Sequence, residues 1–227
     1  RESVASLSYK NKYPVAKDQH AILRLRQLFA QAIHYPLAEN HPIVYGLDTT
    51  NWSKPDVLKE NIGNDDYMVF LHGTTWETKY WPETYWIDLL KKVQAQGLKV
   101  VLPWGSDEEQ QRALRIASHS QSGQAWVPAQ PLTLNTVAQI LNFAKGVVSV
   151  DTGLSHVAAA LEVPMVVLYR VTDPKLVGAD GSKVTRLASP CAPSYIKEFS
   201  NQEQALESLQ GLSVKTVFDN LLEKLKG

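Results

Sequence analysis

A single cysteine, Cys191, stands among 227 residues. One thiol excludes an internal disulfide and a zinc site built on several thiolates, and it fits a free thiol in a reducing compartment. Charge of one sign is lacking too: 23 Lys and Arg balance 23 Asp and Glu, for a formal net charge of zero. Without a basic excess there is no electrostatic footprint of a general nucleic-acid binder, and no nucleic-acid partner is expected. Long apolar runs are missing. The longest, such as Met165–Tyr169, are strand-sized, well below the ~18–20 residues of a membrane-spanning helix. No signal-peptide pattern opens the chain. It begins Arg1-Glu2-Ser3 without Met, so either processing or a piece of something longer is expected. The sequence contains no Gly-x-Gly-x-x-Gly and no Walker A, which weighs against dehydrogenases and P-loop NTPases.

What is present is a globular composition, 44% hydrophobic and 20% charged. That is enough for a full core and rules out collagen, low-complexity disorder and a coiled coil. In residues 17–34, Ile22, Leu25, Phe29 and Ile33 repeat at helical spacing, with Asp18 placed to cap. This predicts an amphipathic helix with one buried stripe. Residues 36–64 lose periodicity and carry Pro36, Pro42, Gly46, Pro55 and Gly63, the signature of turns and a linker.

From residue 67 strands and helices alternate. Strands are predicted at 67–71, 98–102, 125–127, 147–150 and 165–169. Helices are predicted at 82–96, 107–117, 134–144 and 154–161, with weaker helical pattern over 203–226. The strands are apolar throughout rather than alternating, as in a parallel sheet covered by helices on both faces. The fold class expected is therefore α/β, a doubly wound Rossmann-like sheet. Ligands of such sheets sit at the carboxyl ends of the strands.

The loops at those ends carry the candidate chemistry. His72-Gly73-Thr74-Thr75, followed by Lys79, offers hydroxyls and an ammonium to a phosphate, or is a plain turn before a helix. Ser106 with Glu109 three residues later is a capping-box pattern, and Glu109 at the ligand edge also suits a ribose diol. Asp151-Thr152-Gly153-Leu154-Ser155-His156 ends a strand, turns and enters a helix at once. The unmatched N–H groups of that first turn favour an anion. Thr172-Asp173-Pro174 reads as a loop over the same crevice. No paired-Asp metal motif is evident: Asp65-Asp66 precedes a strand and reads as a turn, so a metal-independent site without cofactor is expected.

Taken together, Phe70-Leu71-His72-Gly73-Thr74-Thr75, Lys79, Trp81-Pro82, Leu102-Pro103-Trp104-Gly105, the run from Ser149 to His156 and Thr172-Asp173-Pro174 resemble the lipopolysaccharide heptosyltransferases of glycosyltransferase family 9. The opening stretch, with Arg1-Glu2, Ala5-Ser6-Leu7, His20-Ala21, Arg24 and Leu28-Phe29, carries the resemblance over nearly the whole chain. It implies a GT-B enzyme of two facing Rossmann-like domains, with ADP-heptose as donor and Kdo-lipid A as acceptor. It also implies a location in the cytoplasm, peripheral to the inner membrane.

On that basis Thr74, Thr75 and Lys79 would hold the donor diphosphate. Glu109 would bind the ribose, and Leu132 would lie beside the adenine. Asp151, Thr152, Gly153 and His156 would line the pyrophosphate and heptose. Arg1, His20 and Arg24 match basic positions on the acceptor side. The division implied is a remnant of the acceptor domain over 1–35, a linker over 36–65, the donor domain over 66–190 and C-terminal helices over 191–227. The family's first ~120 residues, with the Asp thought to act as general base, have no counterpart, so the chain alone is expected to be inactive. Tyr169-Arg170-Val171-Thr172-Asp173-Pro174 departs from the family's Tyr-Gly-Pro-Thr-Asp-Pro, which adds a charge and leaves that loop's conformation open. The competing readings are another member of the family, a GT-B enzyme using another sugar nucleotide, and a nucleotide-binding module without catalysis.

Overall fold

The computed structural model describes residues 8–38 and 43–226. The described residues form two compact units, one of residues 8–38 with 175–177, the other of residues 43–174 and 178–226.

In the first unit helix α1 spans Ala21–Ile33. It starts later than the spacing predicts, and His20 rather than Asp18 caps it: the His20 Nδ1 accepts the Ile22 N–H at 3.3 Å. The apolar stripe is real but not buried. No residue of α1 is buried, and Leu25, Phe29 and Ile33 are exposed.

In the second unit the order is α2 (Asp56–Ile62), β1 (Tyr67–Leu71), a 3-10 turn (Glu77–Lys79), α3 (Glu83–Gln94), β2 (Lys99–Val101), α4 (Asp107–Ala117), β3 (Ala125–Trp126), α5 (Leu134–Asn142), β4 (Gly146–Val150), α6 (Gly153–Ala160) and β5 (Met165–Tyr169). The short α7 (Pro174–Val177) follows, its residues 175–177 belonging to the first unit, and the second unit continues with β6 (Val184–Ala188), a second 3-10 turn (Ala192–Ser194), α8 (Gln202–Glu207) and α9 (Val214–Lys226). The six strands form one sheet in the order β3-β2-β1-β4-β5-β6, every neighbouring pair parallel. This is the doubly wound α/β sheet that the continuous apolar strands predict.

The strand period of two sends alternate residues to opposite faces. Tyr67, Val69 and Leu71 join Val147, Met165 and Val167 in a core under α2, α5 and α6. Met68 and Phe70 join Val100, Val148, Val166 and Leu168 in a second core under α3, α4 and α9. Two elements escape the sequence pattern. Helix α2 lies in the stretch read as aperiodic, yet Leu58 and Ile62 are fully in the core. Strand β6, Val-Thr-Arg-Leu-Ala, is an edge strand with one partner and no buried residue, so it lacks the apolar run of its neighbours.

The strand order reverses between β1 and β4, which follow different crossover directions on the two sides. The crevice outside the carboxyl ends of two such strands is the usual ligand position of a doubly wound sheet.

Candidate functional site

Two loops meet at that reversal. Thr74 follows β1, and its hydroxyl donates to the main-chain carbonyl of Asp151, which follows β4, at 2.9 Å. The bond ties the two strand ends together. It also commits the one proton of the Thr74 hydroxyl, so the exposed Thr75 is left as the available hydroxyl on this loop.

The Asp151 carboxylate gathers the centre of the site. Lys79 Nζ lies 2.7 Å from its Oδ2, and the Thr172 hydroxyl donates to the same oxygen at 2.7 Å. The Lys79 and Asp151 side chains are only 14% and 10% exposed, so little water screens their attraction. The Lys79 ammonium also sits 4.6 Å from the centre of the Trp76 ring, and Lys197 lies 5.3 Å from that same ring. Aromatic faces attract cations, and Trp76 thus carries two of them. Thr172, Trp76 and Lys197 are the functional candidates that the residue pattern did not single out. Thr172 lay in a recognised loop, but only the fold brings it to Asp151.

Helix α6 begins directly after this carboxylate. Thr152 is its N-cap residue, yet the Thr152 side chain makes no capping bond. The first N–H groups of a helix have no intrahelical acceptor and carry the positive end of its dipole. Gly153 is exposed, and a Cβ built on it would meet nothing within 4 Å. The mouth of α6 is therefore open and positively polarised. His156 lies half-buried on the same helix.

Glu109 arrives from the loop after β2. The Ser106 hydroxyl accepts the Glu109 main-chain N–H at 3.3 Å, which is half of the predicted capping box. The other half does not close on Ser106. Instead Glu109 Oε2 accepts the Gly105 N–H at 2.8 Å. The carboxylate lies directly against Gly73: a Cβ there would stand 2.0 Å from Glu109 Oε1 and 2.3 Å from its Cδ. The glycine after β1 thus admits a carboxylate from β2 to the edge of the crevice. Leu132 is half-buried against the α5 side of the core.

Arg170 resolves the departure noted in the loop after β5. Its charge is buried, with all of its bonds inside the fold. Burial pushes the guanidinium down to about 10, so it stays protonated at neutral pH. Val171 is fully buried as well, and the segment delivers Thr172 to Asp151. His72, at the end of β1, is 1% exposed, and neither ring nitrogen has a hydrogen-bond partner. Burial first, and the nearby Arg112 charge second, push it down to about 3, so the ring is neutral.

Of the acceptor-side candidates, His20 caps α1 and Arg24 lines a cavity of about 360 Å³ with Tyr13, Val15 and Leu28, all within the first unit. Arg1 lies outside the described residues. Among the described residues no group of three His, Cys, Asp or Glu side chains could hold a metal ion. No helix among them is long and apolar enough to cross a membrane.

The family described as glycosyltransferase family 9 (heptosyltransferase) matches residues 1–206. Lipopolysaccharide heptosyltransferase 1 of Pseudomonas aeruginosa is 45% identical over 204 residues, covering 89% of this chain and 55% of that protein. The structure of the Escherichia coli heptosyltransferase WaaC with ADP superposes with a TM-score of 0.77 at 33% identity, over 97% of this chain and 62% of the other. Its counterpart with ADP-2-deoxy-2-fluoro heptose gives 0.71 at 32% identity, over 97% and 61%. The chain spans about half the length of the curated relatives it matches.

Proposed function

The chain belongs to glycosyltransferase family 9, the heptosyltransferases, and from that premise we propose that it forms the donor-binding half of an enzyme that transfers heptose from ADP-heptose to Kdo-lipid A. The observation that carries this reading is the convergence of Lys79, Asp151 and the open start of α6 at the reversal of the sheet.

In this reading the diphosphate lies before α6. The main-chain N–H groups after Thr152 and Gly153, the Thr75 hydroxyl and the Lys79 ammonium stabilise the charge that grows as ADP leaves. Asp151 is an anion and cannot approach a diphosphate unaided. Its part is to orient Lys79 and Thr172, and to reach the neutral hydroxyls of the sugar. Glu109 accepts from the ribose diol, Leu132 borders the adenine, and His156 faces the sugar phosphate. The Thr74 hydroxyl serves the site by tying the two strand ends together rather than by donating to the diphosphate.

In this reading the acceptor hydroxyl attacks the anomeric carbon with inversion, and its proton goes to a base of the acceptor half. Arg1, His20 and Arg24 are assigned to the acceptor side. In this division of labour the base, which alone contributes about 10²–10⁴-fold, and the surface that holds the acceptor in line belong to the acceptor half, so the donor half on its own is not expected to turn over at a useful rate. The enzyme works in the cytoplasm at the inner membrane, where its acceptor is.

Titration calorimetry of ADP, ADP-heptose and UDP tests the donor assignment. ADP and ADP-heptose should bind, and UDP more weakly. Equal or tighter binding of UDP would overturn the adenine assignment. Incubation with ADP-heptose and Kdo-lipid A, followed by ADP release, tests the division of labour: sustained turnover by this chain would place a base within it.

A further inference from the structure

Arg170 is the first residue beyond β5, and all three nitrogens of its guanidinium donate hydrogen bonds. Nε and Nη2 donate to the Ser208 hydroxyl at 3.1 and 2.5 Å, Nη2 donates to the Ala205 carbonyl at 3.0 Å, and Nη1 donates to the Tyr80 carbonyl. The Phe199 ring lies 5.0 Å away. The Arg170 carbonyl in turn accepts the Ser189 hydroxyl at 2.6 Å. The bonds recorded for this buried cation go to carbonyls and a hydroxyl, not to a carboxylate. A side chain needed only to fill this space would be cheaper as a hydrocarbon. A guanidinium is distinctive in holding several acceptors in one fixed plane.

The acceptors it holds matter. Tyr80 is the residue after Lys79, and Thr172 is two residues after Arg170 itself. Lys79 and Thr172 are the two groups that grip Asp151 Oδ2, each at 2.7 Å. One side chain therefore pins the main chain beside one of Asp151's partners while its own main chain carries the other.

We propose that Arg170 is a positioning residue of the donor site, which sets Lys79 and Thr172 on Asp151 by clamping the end of β5 to the Tyr80 carbonyl. It touches no substrate; it acts through Lys79. The proposal rests on reading Lys79 as the cation of the diphosphate, but its first test needs no ligand.

That test compares how fast individual lysine amines are acylated in the ligand-free protein, read by mass spectrometry, in the unaltered chain and in Arg170→Ala. Lys99 is the control, because its side chain is about as sheltered, at 17% exposed, and is also paired to an aspartate, Asp65, at 2.7 Å. Exposed Lys91 normalises the rates. In Arg170→Ala, Lys79 should acylate about tenfold faster, the equivalent of one lost charge-assisted hydrogen bond, with Lys99 unchanged. An unchanged Lys79 rate in the folded variant overturns the proposal. So does a parallel rise at Lys79 and Lys99, which would make Arg170 a general stabiliser. Should Arg170→Ala fail to fold, Arg170→Lys keeps the charge and loses the planar fork, and the same two outcomes decide.

Ligand affinities then separate this proposal from the donor assignment. In the variant, ADP affinity should fall about tenfold while adenosine affinity holds. Equal losses for both ligands count against Arg170 as a positioning residue. Failure of the unaltered chain to bind ADP counts against the donor assignment, and the acylation rates still decide whether Arg170 places Lys79.

Discussion

At the carboxyl end of the sheet Lys79 meets Asp151 at 2.7 Å, and at the amino end Lys99 meets Asp65 at the same distance. Their surroundings differ. Asp151 is enclosed and takes a second donor from Thr172, whereas Asp65 is 61% exposed. Next to it Lys145 and Asp66 form a looser pair at 3.2 Å with both partners half in water. The amino end also opens into a cavity of about 840 Å³ bordered by Asp66, Lys145, Lys183, Glu223 and Lys224. Space alone would favour that end. Electrostatics favours the other. In a parallel α/β sheet the helices run back against the strands, so helix N-termini face the carboxyl end and helix C-termini the amino end. The helix ends favour an anion at the first and disfavour one at the second. The same kind of ion pair thus has an exposed carboxylate at one end and an enclosed one at the other, the end where the donor site is proposed.

The sharpest way to break this contrast is to remove the two aspartates. Asp151→Ala leaves the sheltered Lys79 charge without its partner and the Thr172 hydroxyl without an acceptor, and should cost about 3 kcal/mol of stability. Asp65→Ala, at the screened end, should cost no more than about 1 kcal/mol. Urea unfolding of both variants checks the pair, and equal losses would erase the distinction.

Acid should also strike the carboxyl end. His72 titrates near 6.5 when unfolded but is pushed down to about 3 in the fold. The unfolded chain therefore binds the proton first, and the stability that depends on a neutral ring is full above pH 6.5. It declines as pH falls from there toward 3. At pH 5 the loss amounts to about 2 kcal/mol. Unfolding free energies measured from pH 7 to pH 4 should show this slope, and His72→Leu should flatten it. Parallel curves for the two proteins would mean that the ring is not the source.

The two lysines give a smaller contrast, in ligand binding. Lys79→Ala should weaken ADP binding by about tenfold, the cost of one charge-assisted hydrogen bond. Lys99→Ala should leave ADP affinity where it was. Calorimetry on both variants decides it. A loss at Lys99 comparable to that at Lys79 would place the nucleotide at the wrong end of the sheet.

Much of the carboxyl end was legible in the residues. Continuous apolar strands announced a covered parallel sheet, and the order of loops placed Lys79, Glu109 and Asp151 at its ligand edge. Strand β6 was not legible, because an edge strand with Thr185 and Arg186 in it needs no apolar run. Helix α2 was hidden because seven residues with only Leu58 and Ile62 buried give too short a stripe to show a period. The helix cap at His20 was hidden behind a better-known capping residue two positions earlier. Arg170 was legible as an anomaly but not as a clamp, since its acceptors at Tyr80, Ala205 and Ser208 are far away in the chain and meet only in the fold. The Thr74 hydroxyl suggested a phosphate donor from its type and place, and only its distance to the Asp151 carbonyl reveals that it ties two strands.

Gly73 offers the finest test of how the carboxyl end is built. A methyl group there would overlap the Glu109 carboxylate, at 2.0 Å from Oε1. The clash is with the tip of a side chain, not with backbone, so Gly73→Ala should fold: Glu109 can swing aside by giving up the Gly105 N–H at 2.8 Å. One hydrogen bond to a charged acceptor lost in exposed surroundings should cost about 1 kcal/mol of stability or less. What changes is the position of the carboxylate. If Glu109 accepts from the ribose diol, its displacement removes an interaction to the nucleoside while Lys79 and the α6 mouth still hold the phosphates. ADP affinity should then fall several-fold, about 1 kcal/mol, and inorganic pyrophosphate affinity should not. Gly105→Ala is the matched control, because a Cβ there stands 3.5 Å from Glu109 Oε2, an ordinary contact. Calorimetric titration of ADP and pyrophosphate into the two variants distinguishes the cases. Unchanged ADP affinity in Gly73→Ala would mean that Glu109 serves only to tie down Gly105 and the start of α4, and that the ribose is held elsewhere.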